Sequence, residues 1–330
     1  MSAAPDSRNF LTLVVPLYNE RESLEPLVRE LDEVRGSLPC GLEVLLVDDG
    51  SVDGSWESVK GLSTGRDWLR GLRFLGNQGQ TAALSAGIDA ARGNLIAFMD
   101  ADMQNDPRDL PKLVRPILEG RADAVCGWRI HRKDDALSRN LPSTVANILI
   151  TRALGLKLHD LGCTLKVFRS EYLEDVHLYG EMHRFIPAYA QAQGARIVEM
   201  EVNHRERRFG RSKYGFTRVY KVLIDLLTVK MLNTYGAKPA YFFGKIGIFF
   251  FTLGTAAFSL VAYRALALGR TESTPMIFIM MLVYVASLIC VMSGLLAEIN
   301  IRVLHAVGER RPYKVVDRIG FGEGDQQRGG

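Results

Sequence analysis

The sequence predicts an α/β protein: a doubly wound, parallel sheet, then an interfacial helix and a two-helix transmembrane hairpin. Three observations predict it. Short apolar runs alternate with helical patterns four times between Phe10 and Asp102, the layout of a parallel sheet covered on both faces. Two long uncharged runs follow, residues 246–263 and 273–297. A basic stretch precedes them: residues 204–245 hold ten Lys or Arg against two acids, a net charge of +8 in a chain of net charge +4.

Composition narrows the class. Of the 330 residues, 47% are hydrophobic and 24% charged, which excludes disorder for the bulk of the chain. The four cysteines (Cys40, Cys126, Cys163, Cys290) are scattered, with no CxxC pair, so neither a disulfide framework nor a cysteine zinc site is expected.

The elements follow in order. Residues 10–15 form an apolar strand ending at Pro16. Asn19 and Glu22 are the expected cap and third-position acid of a helix carrying Leu24, Leu27, Val28 and Leu31 at helical spacing. A second strand, 42–47, ends in Asp48-Asp49-Gly50-Ser51, and a short helix spans 55–62. The third strand is 69–75, followed by a helix over 80–91 that Gly93 breaks. The fourth, 95–99, ends in Asp100-Ala101-Asp102. In open α/β sheets ligands sit beyond the carboxyl ends of the strands, where these polar residues fall. Acids pooled at three strand ends repel one another unless a cation or donor-rich ligand lies among them.

Asp100, Asp102 and Gln104 stand at i, i+2 and i+4 of an extended segment, so their side chains share one side. Three oxygen donors there suit Mg2+ or Mn2+ bound together with phosphate oxygens. Such an ion would bridge a diphosphate and stabilise a leaving nucleoside diphosphate.

Together, Val-Pro-Leu-Tyr-Asn-Glu (15–20), Val-Asp-Asp-Gly-Ser (47–51), Asn-Gln-Gly-Gln-Thr-Ala-Ala-Leu (77–84) and Asp-Ala-Asp-Met-Gln (100–104) resemble the inverting family 2 glycosyltransferases of GT-A fold. Asp160-Leu-Gly-Cys-Thr-Leu-Lys166, Arg184-Phe-Ile-Pro187 and Arg207-x-x-Gly210-x-Ser212-Lys213 narrow the resemblance to the polyprenyl-phosphate glycosyltransferases. That group is similar to dolichyl-phosphate mannose synthase and its bacterial undecaprenyl-phosphate relatives. The resemblance covers about residues 10–305, and the absence of QxxRW sets aside the processive synthases.

The resemblance implies roles. Pro16, Tyr18, Glu20 and Asp49 would line the nucleoside, joined on the nucleotide sugar by Asp100 and Asp102; Asp100, Asp102 and Gln104 would surround the metal. Arg129, Arg139, Ser143, Arg207 and Lys213 would hold the lipid phosphate, a task suited to the guanidinium fork. Asp160 is a candidate base, or else it holds a sugar hydroxyl or orients an arginine; some relatives have a second acid where this chain has Cys163. A phosphate acceptor is mostly ionised near neutral pH, with a second pKa of about 6, so a base is not obligatory. A UDP-sugar is expected over a GDP-sugar, and undecaprenyl phosphate as acceptor. The other reading, a non-catalytic lipid-phosphate binder or assembly partner keeping the fold, is opposed by the intact Asp100, Asp102, Gln104 and Arg207.

Residues 217–233 carry Arg218, Lys221, Asp225 and Thr228 on one face, as an interfacial helix would. Lysines 230, 238 and 245 before the hairpin, and Arg302, Arg310, Arg311, Lys314 and Arg318 after it, outnumber Arg264 and Arg270 in its loop. Both ends are therefore expected in the cytoplasm, with no signal peptide and the protein in the inner membrane. The hairpin makes nucleic acid an unsuitable partner for the basic stretch; membrane lipids suit it, and a homo-oligomer is left open. The expected organisation is a catalytic domain over 1–215 holding the whole sheet, a juxtamembrane helix over 216–238, two transmembrane helices within 239–300 (about 241–263 and 274–297), and a cytoplasmic tail over 301–330, frayed from Gly320.

Overall fold

The computed structural model describes residues 9–130, 155, 156, 158–174, 176, 178, 182–206, 239–269, 274–307 and 313–321. The chain divides into two compact units, residues 1–226 together with 311–330, and residues 227–310.

The first unit opens with β1 (Phe10–Leu17), α1 (Arg21–Arg35), β2 (Gly41–Asp48), α2 (Ser55–Ser63), β3 (Leu69–Phe74), α3 (Gln80–Ala90) and β4 (Leu95–Phe98), the alternation expected from sequence. These strands pair in parallel in the order β3-β2-β1-β4, with Leu11 opposite both Leu42 and Leu95. Every residue of β1 from Leu11 to Leu17 is buried, as a central strand covered on both faces requires. Its odd positions, Leu11, Leu13 and Val15, join a core with Leu24, Leu27 and Leu31 of α1. Val14 points the other way, against α3, where a Cβ on Gly87 would lie 2.1 Å from Val14 Cγ1. Only glycine lets α3 approach that closely.

Glu43 and Arg70 lie inside this apolar sheet, 1% and 3% exposed for Arg70 and Glu43 respectively, and pair at 2.9 Å. Thr12 Oγ1 and the Arg92 amide also donate to Glu43. The charges are tolerated because each finds partners.

Asn19 does not cap α1. The helix has no side-chain cap; Asn19 instead adopts φ +55° and stitches the first strand end to the second. Its amide donates to Ser51 Oγ (2.9 Å) and its Oδ1 accepts from the Val52 amide (3.0 Å). A tertiary partner displaced the local one.

Beyond β4 come α4 (Leu110–Leu118), β5 (Ala124–Trp128), β6 (Lys166–Arg169), α5 (Ile186–Ala192) and β7 (Ile197–Glu201). Strand β6 runs antiparallel to both β4 and β5, and β7 runs parallel to β5. Among the described residues the sheet has the order β7-β5-β6-β4-β1-β2-β3-β8.

The last strand corrects the expected tail. Residues Val315–Ile319 form β8, antiparallel to β3, with Arg73 opposite Asp317. The sheet therefore does not end before residue 215, and residues 320 and 321 are not frayed: the Phe321 ring lies 3.8 Å from the Arg70 guanidinium. Tyr313 stacks on Phe74 with ring centroids 5.3 Å apart. An edge strand covered in this way is protected from pairing with other chains.

The second unit is a pair of antiparallel helices, α6 (Pro239–Leu268) and α7 (Thr274–Val307). Each holds a segment long and apolar enough to cross a membrane: Ala240–Ala267, mean hydropathy 1.8, and Met276–Asn300, mean hydropathy 2.5. Phe249 and Leu282 are 62% and 65% exposed, which separates these helices from core helices of a soluble fold. The helices meet through small residues, as helices in lipid do. Ser287 Oγ donates to the Gly247 carbonyl (2.8 Å), and a Cβ on Gly247 would lie 2.8 Å from Val291 Cγ2. The interfacial helix expected over 217–233 lies outside the described residues.

Candidate active site

The carboxyl ends of β1, β2 and β4 supply the acids, and hydrogen bonds between their loops fix them. Asp49 is buried; its Oδ1 accepts from the Gln78 amide (2.6 Å) and its Oδ2 from the Gly79 amide (2.9 Å), at the entrance to α3. Burial pushes its carboxyl up, against the pull of those two amides. Asp48 Oδ1 accepts from the Ser51 amide, with Arg73 Nε 3.5 Å from Oδ2. Between them Gly50 holds φ +71°, where a Cβ would fall 2.6 Å from the Gly76 backbone. Pro16 is buried in β1, while Tyr18 and Glu20 are half-buried on the segment leaving it.

Asp100 is held from two sides. Its Oδ1 accepts from Gln80 Nε2 (2.8 Å) and its Oδ2 from the Thr164 hydroxyl. Burial and the charge of Asp102 push its carboxyl up to about 6, although Thr164, Arg129 and Lys166 pull the other way. Asp102 is buried, and its Oδ1 accepts from the Gln104 amide (3.1 Å). Residues 101–103 form a turn through Met103 at φ +63°, not the extended segment expected, so strand alternation does not set these side chains. The loop is tied to the chain after β7: Asn105 bridges His204, and the Arg205 amide donates to the Gln104 carbonyl (2.9 Å). Among the described residues no three His, Cys, Asp or Glu side chains converge as a metal cluster. The two carboxylates with Gln104 nevertheless fit a hard divalent ion, which takes one or two carboxylates and fills its remaining positions with phosphate and water. The Asp100 carboxyl is raised by burial first and then by the like charge of Asp102, and such an ion would offset the second.

Arg129 and Asp160 form a buried, two-pronged ion pair. Arg129 Nε donates to Oδ2 (2.7 Å) and Nη2 to Oδ1 (3.0 Å). Burial pushes the Asp160 carboxyl up, but the Arg129 hydrogen bonds and charge outweigh it and hold the carboxyl below its ordinary value. Burial likewise opposes the Arg129 charge, and Asp160 overrides it. Glu199 of β7 accepts from the Asp160 amide (2.9 Å) and from the amide and ring of His159, so a second acid sets the loop that sets the arginine. Cys163 is fully buried, and burial pushes its thiol up to about 11, so it does not replace an acid there.

Asp49, Asp100, Asp102, Gln104, Arg129 and Asp160 thus lie at the carboxyl ends or in the loops that join them. Arg139, Ser143, Arg207 and Lys213 lie outside the described residues. The sequence reading missed Gln80, Thr164 and Glu199. Only the alternation of Ile-Val-Glu-Met-Glu (197–201) hinted at β7, and nothing local ties Glu199 to Asp160.

The family model described as Glycosyl transferase family 2 matches residues 12–177. Over 314 residues the chain is 41% identical to dodecaprenyl-phosphate galacturonate synthase of Rhizobium johnstonii, covering 94% of this chain and 92% of that protein. Over 317 residues it is 35% identical to undecaprenyl-phosphate 4-deoxy-4-formamido-L-arabinose transferase of Salmonella choleraesuis, covering 95% and 94%. The fold is similar to that of glucosyl-3-phosphoglycerate synthase from Mycobacterium tuberculosis, solved with Mn2+ and UDP-glucose, at a TM-score of 0.53 and 18% identity over 67% of this chain and 79% of that one. Matched by the family model over half its length and by relatives over nearly all of it, the chain belongs to glycosyl transferase family 2 and, within it, to the polyprenyl-phosphate glycosyltransferases.

Proposed function

We propose that this enzyme transfers a sugar, with inversion, from a UDP-sugar to undecaprenyl phosphate at the cytoplasmic face of the inner membrane. The observation that carries the reading is Arg129, largely but not fully buried, clamped by Asp160 within electrostatic reach of Asp100. A guanidinium fixed by its Nε and Nη2 keeps its other donors for a phosphate, and does so beside the acids that suit a metal diphosphate. The nucleotide assignment draws on the fold relative solved with UDP-glucose and Mn2+, and the acceptor on the two relatives named for polyprenyl phosphates.

Asp102, Asp100 and Gln104 would hold Mg2+ or Mn2+. When bound, the ion would draw charge from the departing diphosphate. Tyr18 and Glu20 would flank the nucleoside, and Asp49 would keep the 78–79 loop in place beside it. Arg129 would orient the lipid phosphate, with Arg139, Ser143, Arg207 and Lys213 completing its site. A phosphate oxygen then attacks the anomeric carbon opposite the leaving diphosphate. The nucleophile is already ionised, so no base is needed; Asp160, with both oxygens on Arg129, acts as a positioning residue.

Residues before and after the hairpin share one sheet, which supports two crossings with both ends on one side. The test is UDP release by the full chain with Mn2+ and a UDP-sugar, with and without undecaprenyl phosphate. Release only with the lipid is expected. Equal release without it would exclude this acceptor.

A further inference from the structure

The turn that carries Asp102 and Gln104 passes through Met103, a buried residue at φ +63°. A side chain larger than glycine keeps that conformation only where its surroundings impose it. Part of the hold is internal: the Gln104 amide donates to Asp102 Oδ1, and the Asp100 amide to Asn105 Oδ1 at 3.4 Å. Part comes from three successive residues just after β7. The Asn203 amide donates to Asp109 Oδ2 (2.7 Å), His204 pairs with Asn105 as an isolated bridge, and the Arg205 amide donates to the Gln104 carbonyl (2.9 Å).

Arg205 closes this strap with its side chain. Its Nη2 lies 2.7 Å from Asp106 Oδ1, and its Nη1 donates to both oxygens of Glu30, at 2.9 and 2.7 Å. Glu30 belongs to α1, which is anchored in the core by Leu24, Leu27 and Leu31, so the loop is braced against a rigid element. The three side chains are 20% exposed or less, which sets them apart from solvent-screened surface pairs of little worth. Burial opposes the charge of Arg205, yet Asp106 and Glu30 override it and raise its pKa above the ordinary arginine value. One guanidinium here spans two carboxylates from different elements; an ammonium, a single point charge, lacks that fork.

Resting on the reading of Asp100, Asp102 and Gln104 as the metal-holding loop, we infer that Arg205 is a positioning residue for the ion. Its grip on the Gln104 carbonyl and on Asp106, braced by Glu30, presets the turn that presents Asp102 and Gln104. Arg205 acts through the loop and does not itself coordinate metal, since a guanidinium has no acceptor. A loop already in its bound arrangement loses none of the ion's binding free energy to ordering. In sequence Arg207, assigned above to the lipid phosphate, follows two positions later, so the strap that holds the donor-side loop leads directly into the acceptor side.

The experiment measures Mn2+ binding by electron paramagnetic resonance on the metal-stripped full chain in lipid nanodiscs, beside its thermal midpoint. UDP is present throughout, and the protein-free mixture is subtracted. Arg205→Gln should weaken Mn2+ binding by roughly 10- to 100-fold, the usual effect of removing an outer partner of a metal site. Arg205→Lys should recover part of that loss. Glu30→Gln should act in the same direction from α1, and it carries the test if Arg205→Gln does not fold. Arg196→Gln is the control for a merely structural effect. It breaks a two-pronged pair with Asp123 just before the amino ends of β5 and β7, and should leave Mn2+ affinity unchanged. Folded Arg205→Gln or Glu30→Gln with the parent's Mn2+ affinity, or a loss matched by Arg196→Gln, would overturn the inference. The metal loop itself would still stand if Asp102→Asn abolished binding. A parent chain that binds no Mn2+, or an Asp102→Asn variant that binds it equally well, would overturn the metal-loop reading and this inference with it.

Discussion

Trp56 and Asp317 meet across 261 residues of chain: the indole Nε1 of a fully buried tryptophan in α2 donates to Oδ2 of Asp317, in the strand that follows the two apolar helices, at 2.9 Å. Lys60 reaches the same carboxylate at 2.9 Å, and these partners hold the Asp317 carboxyl below its ordinary value. The catalytic sheet is thus completed by the last described strand of the chain.

Removing that strand should therefore harm the fold. Asp317→Ala leaves the indole donor without its acceptor and should cost about 1–2 kcal/mol, read as a lower midpoint in urea denaturation of the full chain in detergent. Truncation before residue 313 should do more, uncovering the β3 edge and promoting aggregation. A truncated chain as stable and as free of aggregation as the parent would contradict the role given to β8.

Asp160→Asn should weaken the hold on Arg129 and raise the KM for lipid phosphate, leaving UDP binding by calorimetry nearly unchanged. The loss should be uniform between pH 6 and 8, because the group is ionised throughout as a positioning residue. Disappearance of an acid limb from the pH–rate profile of the variant would instead mark Asp160 as a base.

Asp102→Asn should abolish turnover with the fold intact, since the amide keeps shape and loses the charge that holds the ion. A fall of at least about a thousandfold in kcat, with an unchanged thermal midpoint, is expected from losing several kcal/mol of charge stabilisation. Activity near that of the parent, with the same metal dependence, would remove Asp102 from the site.

Metal affinity should depend on pH through Asp100. Its carboxyl, near 6 without metal, must lose its proton to share an ion, so apparent Mn2+ affinity should fall by about tenfold per unit below pH 6. The metal-free protein should respond in the opposite sense. A carboxyl raised from 3.8 to about 6 binds its proton more tightly folded than unfolded, so this group favours the fold increasingly as pH drops through 6 toward 4. Mn2+ titrations and thermal melts across pH 4.5–7.5, with Asp100→Asn as the control that flattens both trends, provide the check.

Much of this was legible in the order of residues. The alternation of apolar runs marked four strands because a buried strand needs little beyond apolar side chains. The acids at their ends stood out because chain direction in a parallel sheet puts every carboxyl end on one edge. The pair of long apolar helices was legible for a similar reason: a helix satisfies its own backbone, and the length and apolarity that would let it cross a membrane are read directly from the residues. What tertiary structure alone decided are the pairings between distant segments. Asn19 chose Ser51 and Val52 over its own helix; Glu199 came to set Asp160, and Asp160 to set Arg129. Residues 315–319, which read as a tail, completed the sheet because β3 offered an unpaired edge and Trp56 an unpaired donor. Local pattern determines which elements form; which polar groups meet depends on where the whole chain brings them, and in this protein those meetings build the site.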